Sequence, residues 1–261
     1  GRAGSRPQGP GPGWRWLCLR LESDAVPGRC SAVSLNADTP SWPSPNHGVR
    51  RGGVLPSIIV IHYTAMESCA AARARLCDPA FEVSAHWLIS EAGAVEALVP
   101  EAARAWHAGA GEWAGINDVN SASIGIELAN TGAQPFAEPQ MAALERVLAG
   151  IMARWAIPAH RVIGHSDMAP SRKGDPGARF DWRRLALAGL SVWPEAAAAD
   201  VAGFGSALRR FGYPEAPEDD LLAAFRLRFR PWARGPVDAV DAGLACDLAQ
   251  RFAVDVASAS A

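Results

Sequence analysis

Residues 57–64 read SIIVIHYT, four consecutive branched aliphatic residues followed by polar ones. Successive side chains of a strand point to opposite faces, so an unbroken apolar run puts greasy groups on both. That pattern fits a central strand covered on both sides, with its polar end emerging from the cover. Two further short runs, SIGIELA at 123–129 and RVIGH at 161–165, have the same character.

Helical patterns separate these runs. ESCAAARARLCD at 67–78 is Ala-rich and stops before Pro79. AEPQMAALERVLAGIMARWAIP at 137–158 spaces Leu144, Val147, Leu148, Ile151 and Trp155 at helical intervals, with prolines near its start and past its end. FDWRRLALAGL at 180–190 is a further helix. SAHWLIS and AVEALVP flank Glu91-Ala92-Gly93, a hairpin signal. Strands alternating with helices indicate an α/β domain over about 38–191. After the Ala-rich linker SVWPEAAAAD, residues 200–255 hold three helical patterns, GSALRRFGY, EDDLLAAFRLRFR and VDAVDAGLACDLAQRF. Some 55 residues make a marginal core alone, so this unit is expected to dock on the first domain or on a ligand. Residues 1–37, rich in Gly, Pro and Arg, read as a disordered extension.

The net charge of −2 argues against an electrostatic nucleic-acid partner. No apolar run approaches the roughly 18 residues a membrane span needs. Cys18, Cys30, Cys69, Cys77 and Cys246 form no disulfide framework or metal knuckle, which favours a reducing compartment. The expected location is the cytoplasm, with a periplasmic or outer-membrane-associated site as the alternative. The sequence leaves the oligomeric state open.

The polar residues at strand ends carry the chemistry. In open α/β sheets the carboxyl ends of strands line the ligand crevice. His62 closes one strand and His165 another. One such histidine is ordinarily structural; two at equivalent ends are harder to dismiss. Residues 164–177, GHSDMAPSRKGDPG, follow as a Pro- and Gly-set loop. Pro176 pushes Asp175 toward an extended conformation, so Lys173 and Asp175 are expected to face one site. Two neutral imidazoles, one carboxylate and an open fourth position are what a catalytic zinc uses. Glu127 shares a strand face with Ser123, Gly125 and Ala129, small neighbours that leave room above it. A lone carboxylate there is costly to bury; pairing to a distant arginine is the plain alternative. His86, Trp87, Trp106 and His107 are candidates to line a groove, Asn117 and Asn120 to shape the loop before the Glu127 strand, and Arg172 to bind a substrate carboxylate. His160 reads as structural and His47 has no assigned role.

IVIHYTAM, SAHWLI, AWHAG, SIGIELAN and GHSDMAPSRKGDPG, in this order, resemble the zinc-dependent N-acetylmuramoyl-L-alanine amidases of the type-2 family, over about residues 38–190. The resemblance implies a mixed central β-sheet flanked by helices and one zinc ion (Zn2+). It implies His62, His165 and Asp175 as metal ligands and Glu127 and Lys173 as the catalytic pair. His86, Trp87, His107, Asn120 and Arg172 are then the expected substrate-binding residues. The expected reaction is hydrolysis of the amide between N-acetylmuramic acid, or its 1,6-anhydro form, and L-alanine, with peptidoglycan fragments or muropeptides as partners. FGYP, AAFRLRFRP and GPVDAVDAGL resemble a three-helix peptidoglycan-binding module whose usual Asp-Gly turn reads Asp238-Ala239 here. Two rivals share these residues: a recognition protein on the same scaffold that only binds, and a zinc hydrolase acting on another amide. A carboxylate-pair glycosidase does not fit an inventory led by histidines.

Overall fold

In the computed structural model, residues 41–195 and 198–254 are described. The extension expected over 1–37 lies outside them. The strands are β1 (His47–Gly48), β2 (Ile58–Tyr63), β3 (Trp87–Ile89), β4 (Val95–Ala97), β5 (Arg104–Ala105), β6 (Ser123–Leu128) and β7 (Val162–Gly164). β1 and β5 pair as a small antiparallel ribbon. The other five form a mixed sheet in the order β4-β3-β6-β2-β7, parallel except for the β3–β4 hairpin. The interior position of β2 and β6 is what their apolar runs demand.

Helix α1 (Cys69–Leu76) is capped by the Ser68 hydroxyl, which accepts from the Ala71 amide. The single turn α2 (Val119–Ala122) leads into β6. Helix α3 (Glu138–Trp155) carries Pro139 in its first turn and ends where Ala156 turns left-handed. Its Leu144, Val147, Leu148 and Ile151 are fully buried against Ile59, Ile61, Ile124, Ile126 and Leu128. The short helices α4 (His165–Met168) and α5 (Trp182–Leu187) follow β7. Thus the third strand ends at Gly164, and His165 opens a helical turn where a strand end was expected. Within residues 164–177, only that turn is helical.

The C-terminal helices are α6 (Phe204–Phe211), α7 (Glu218–Phe229) and α8 (Ala239–Arg251). Asp238 caps α8 by accepting from Val240 and Asp241 amides, so Ala239 sits comfortably as the first helical residue. These helices dock on the α/β part. Phe204, Phe211, Phe225 and Phe229 join one core with Ile58, Val60, Ile163, Trp113 and Met168. Each buried aromatic contributes about 1.5–3 kcal/mol of transfer free energy. Gly212, at φ 134°, lets the α6 end lie against the Trp113 ring; a Cβ there would stand 2.7 Å from it. The two faces of β2 are therefore covered by different parts of the chain, α3 on one and the C-terminal unit with its neighbouring loop on the other.

Candidate metal centre and active-site cavity

Alternation along β2 sends Ile58, Val60 and His62 to one face. Parallel pairing sets His62 beside Glu127 on β6. His165 follows directly from β7, the other neighbour of β2. Asp175 comes back to the same point because Gly164 has no side chain; a Cβ there would meet Pro176 at 2.8 Å. The Ser166 amide donates to the Asp175 carbonyl at 2.9 Å and fixes the loop's return.

Three atoms converge. His62 Nδ1 lies 2.9 Å from His165 Nδ1 and 3.0 Å from Asp175 Oδ2, and His165 Nδ1 lies 3.1 Å from the same oxygen. All three residues are buried. The far ring nitrogens fix the tautomer of the neutral imidazoles. The Nε2–H of His165 donates to the Ala108 carbonyl at 2.8 Å. The Ser123 hydroxyl donates to the Val119 carbonyl, so its oxygen accepts from His107 Nε2 at 3.1 Å. His107 Nδ1 is then an acceptor and receives the His62 Nε2–H at 3.0 Å. Each neutral imidazole holds one proton, so both Nδ1 atoms are bare. Two lone pairs and a carboxylate oxygen face one another with no proton among them, a set that calls for a cation. A tetrahedral zinc with bonds of about 2.0–2.2 Å would separate its ligand atoms by about 3.3 Å, close to this spacing. The donor set fits zinc.

Burial above all, then the neighbouring His165 ring, pushes the His62 imidazole down to about 4. Burial pushes the Asp175 carboxyl up, but contact with His165 and His62 outweighs it and holds the group well below the usual carboxylate range. Neutral imidazoles and an ionised carboxylate are the forms a metal binds. Glu127 stands beside them. Burial, then the Asp175 charge, raise its carboxyl to about 8, against the opposing charge of Lys173. Its buried Oε2 has no hydrogen-bond partner among the described residues.

These groups open on a cavity of about 360 Å³, lined by His62, Tyr63, Trp106, His107, Glu127, His165, Arg172, Lys173 and Asp175 among others. The structure brings His62, His165, Asp175, Glu127, Lys173, His107 and Arg172 together. It does not bring His86, Trp87 or Asn120 to the cavity wall. His86 is fully buried beneath it, accepting from the Gly125 amide at Nδ1 (2.9 Å) and donating to the Ala103 carbonyl at Nε2 (3.1 Å). Trp87 sits in the α3-side core and gives its indole N–H to Glu101. Asn120 accepts from the His107 and Ala108 amides at 3.0 and 2.9 Å, which fixes the segment supporting both ligand histidines. Arg172 spends one nitrogen on the Ala108 and Ala110 carbonyls while lining the cavity.

The sequence carries no local sign that His107 supports His62; AWHAG reads there as groove lining. The room foreseen above Gly125 is taken by the His107 ring; a Cβ at Gly125 would stand 2.4 Å from it. An unusually bare strand residue next to Glu127 was the available signal.

Comparison with known proteins accords with this geometry. Residues 52–178 match the N-acetylmuramoyl-L-alanine amidase family. The chain is 34% identical to N-acetylmuramoyl-L-alanine amidase AmiD of Escherichia coli, over 76% of this chain and 84% of that protein. It is 35% identical to 1,6-anhydro-N-acetylmuramyl-L-alanine amidase AmpD of Enterobacter cloacae, over 55% of this chain and 86% of that one. Among solved structures, the Escherichia coli AmiD complex with anhydro-N-acetylmuramic acid-L-Ala-D-gamma-Glu-L-Lys superposes with TM-score 0.72, covering 77% of this chain and 91% of that chain at 34% identity. AmpDh3 of Pseudomonas aeruginosa, in complex with anhydromuramic pentapeptide, gives TM-score 0.68 at 30% identity over 76% and 92%. The chain belongs to the N-acetylmuramoyl-L-alanine amidase family.

Proposed function

We propose that this amidase cleaves the bond between 1,6-anhydro-N-acetylmuramic acid and the L-alanine of a peptidoglycan stem peptide, using one zinc ion held by His62, His165 and Asp175. The observation that carries the reading is the set of three unprotonated ligand atoms facing one another at 2.9–3.1 Å beside the unpartnered Glu127 Oε2. The anhydro form is favoured by the ligands in the similar AmiD and AmpDh3 complexes.

Bound there, zinc supplies a Lewis acid that polarises the carbonyl and brings the pKa of a water toward neutrality. The Glu127 carboxylate takes the proton of the attacking water and returns it to the nitrogen of the departing L-alanine. Lys173 opposes the rise in the Glu127 pKa and favours the ionised carboxylate that this base requires, as a zinc ion held by the ligand set would. Lys173 also offsets the negative charge that develops on the carbonyl oxygen. Arg172 keeps guanidinium N–H groups free for a stem-peptide carboxylate, and Trp106 offers an apolar wall. His107 and Asn120 do not touch substrate in their main role; they keep the ligand imidazoles in register.

The test is incubation of the purified chain with anhydromuropeptides and, separately, with intact sacculi, each with and without chelator, followed by mass spectrometry. Release of free stem peptides from anhydromuropeptides, abolished by chelator and restored by zinc, is expected. Cleavage confined to sacculi would move the substrate to the wall. No amide cleavage of either would overturn the reading.

A further inference from the structure

The C-terminal helices do more than cover the sheet. α7 packs directly on α4, the turn that begins with His165. Asp167 on that turn is fully buried, and Arg228 on α7 is 2% exposed. The Arg228 guanidinium donates to Asp167 Oδ2 at 2.7 Å, to the Val162 carbonyl on β7 at 3.0 Å and to the Ser191 hydroxyl at 3.2 Å. It lies over the Trp182 ring at 4.4 Å. The buried Tyr213 hydroxyl, from the turn after α6, donates to Asp167 Oδ1.

Asp167 uses the same carboxylate to hold the metal-site backbone. Its Oδ2 accepts the Gly164 amide at 2.8 Å, so the carboxylate brackets His165 from both sides. Ser166, inside the bracket, donates its amide to the Asp175 carbonyl. One turn of helix therefore sets two of the three ligand residues, and the charges that hold that turn come from the C-terminal unit. An apolar contact would have sealed the interface more cheaply: Arg228 Nε has no partner among the described residues, and buried ion pairs seldom improve on hydrophobic replacements. What a charged fork adds is directional hold, through donors fixed in one plane.

We propose that Arg228 and Tyr213 are positioning residues for the metal site, acting through Asp167 to fix His165 and Asp175, so that the C-terminal helical unit completes the metal-binding site. This rests on the zinc reading above. The wild-type chain must first bind zinc, and a wild type that binds none defeats that reading, whatever the variants do.

Full-length wild type, Arg228→Met, Tyr213→Phe and a core control on the opposite sheet face, Ile151→Val, are to be compared. Zinc affinity is read by chelator competition, site geometry by the visible spectrum of the cobalt-substituted protein, and stability by thermal melting. Support of a ligand by such outer contacts is worth about 10–100-fold in metal affinity. Arg228→Met is expected to weaken zinc binding by about that factor, and Tyr213→Phe, which removes one hydroxyl, by about 3–10-fold. Both are expected to change the cobalt spectrum, while Ile151→Val leaves affinity and spectrum at wild-type values. Should Arg228→Met fail to fold, Tyr213→Phe carries the test alone. Melting lowered in Arg228→Met or Tyr213→Phe with affinity and spectrum unchanged would overturn the proposal and leave the pair as interface adhesive only.

Discussion

The two faces of the central sheet are built from the same strands and do opposite work. Ile59, Ile61, Ile124, Ile126 and Leu128 meet α3 across an apolar seam. Of the polar side chains at its margin, Glu101 is tied off, accepting from Trp87, Arg154 and Trp155, while Gln140 donates to the Ile89 and Ala129 carbonyls and leaves its own Oε1 without a partner among the described residues. The other face begins apolar at Ile58 and Val60 and turns polar at His62 and Glu127, where Glu127 Oε2 is left unpaired. Unpaired buried polar atoms cost stability, and they gather at sites whose partner is a ligand or a reacting atom. The orphan on the α3 side is a neutral amide oxygen away from any ligand set, whereas the orphan on the other face is a carboxylate oxygen beside three converging ligand atoms.

That contrast can be broken by substitution. Glu127→Ala should give the largest change in turnover, a loss of about 10²–10⁴-fold in kcat, the usual worth of a positioned general base. Metal content and melting temperature should hold or rise, since the change removes a buried carboxylate without a partner. Near-wild-type turnover in stopped assays of muropeptide cleavage would remove Glu127 from the mechanism. Leu148→Ala on the α3 face should do the reverse. It should cost about 2–5 kcal/mol of folding stability in denaturant titration while kcat per folded molecule stays unchanged. A drop in kcat beyond the folded fraction would show that the faces are not separable.

Acid should separate them more gently. Burial, then the nearby Arg50 charge, push the His86 imidazole down to about 3. An unfolded histidine titrates near 6.5, so below that pH the unfolded state binds the extra proton and the folded state does not. The stability from neutral His86 is full above about pH 6.5 and declines as pH falls toward 3, by up to about 1.4 kcal/mol per pH unit. Melting curves of wild type and His86→Gln from pH 8 to pH 4 should converge at the acid end, measured as the difference in midpoint. A constant gap would mean that His86 is not held neutral.

Much of this was legible in the sequence because it is local. An unbroken run such as IIVI states its own two-sided burial, and the strand-end rule points to His62 near the end of β2. Alternation in SIGIEL correctly placed Glu127 over small neighbours. What was missed depends on residues far apart along the chain. His86 appears free in SAHWLIS, yet its partners Gly125 and Ala103 lie 39 and 17 residues away. Asp167 and Arg228 are separated by 61 residues, and neither has a local pattern that names the other. His165 was placed at the end of a strand because a β-run followed by polar residues does not reveal that the next turn is helical.

The central claim is that three acceptor atoms on β2, α4 and the following loop grip one divalent ion. Zinc titration of the metal-free chain, followed by elemental analysis after gel filtration, addresses it most directly. The account predicts one zinc per wild-type chain and per Glu127→Ala chain, and none retained by Asp175→Ala. Less than stoichiometric zinc in the wild type, or full retention by Asp175→Ala, would contradict it.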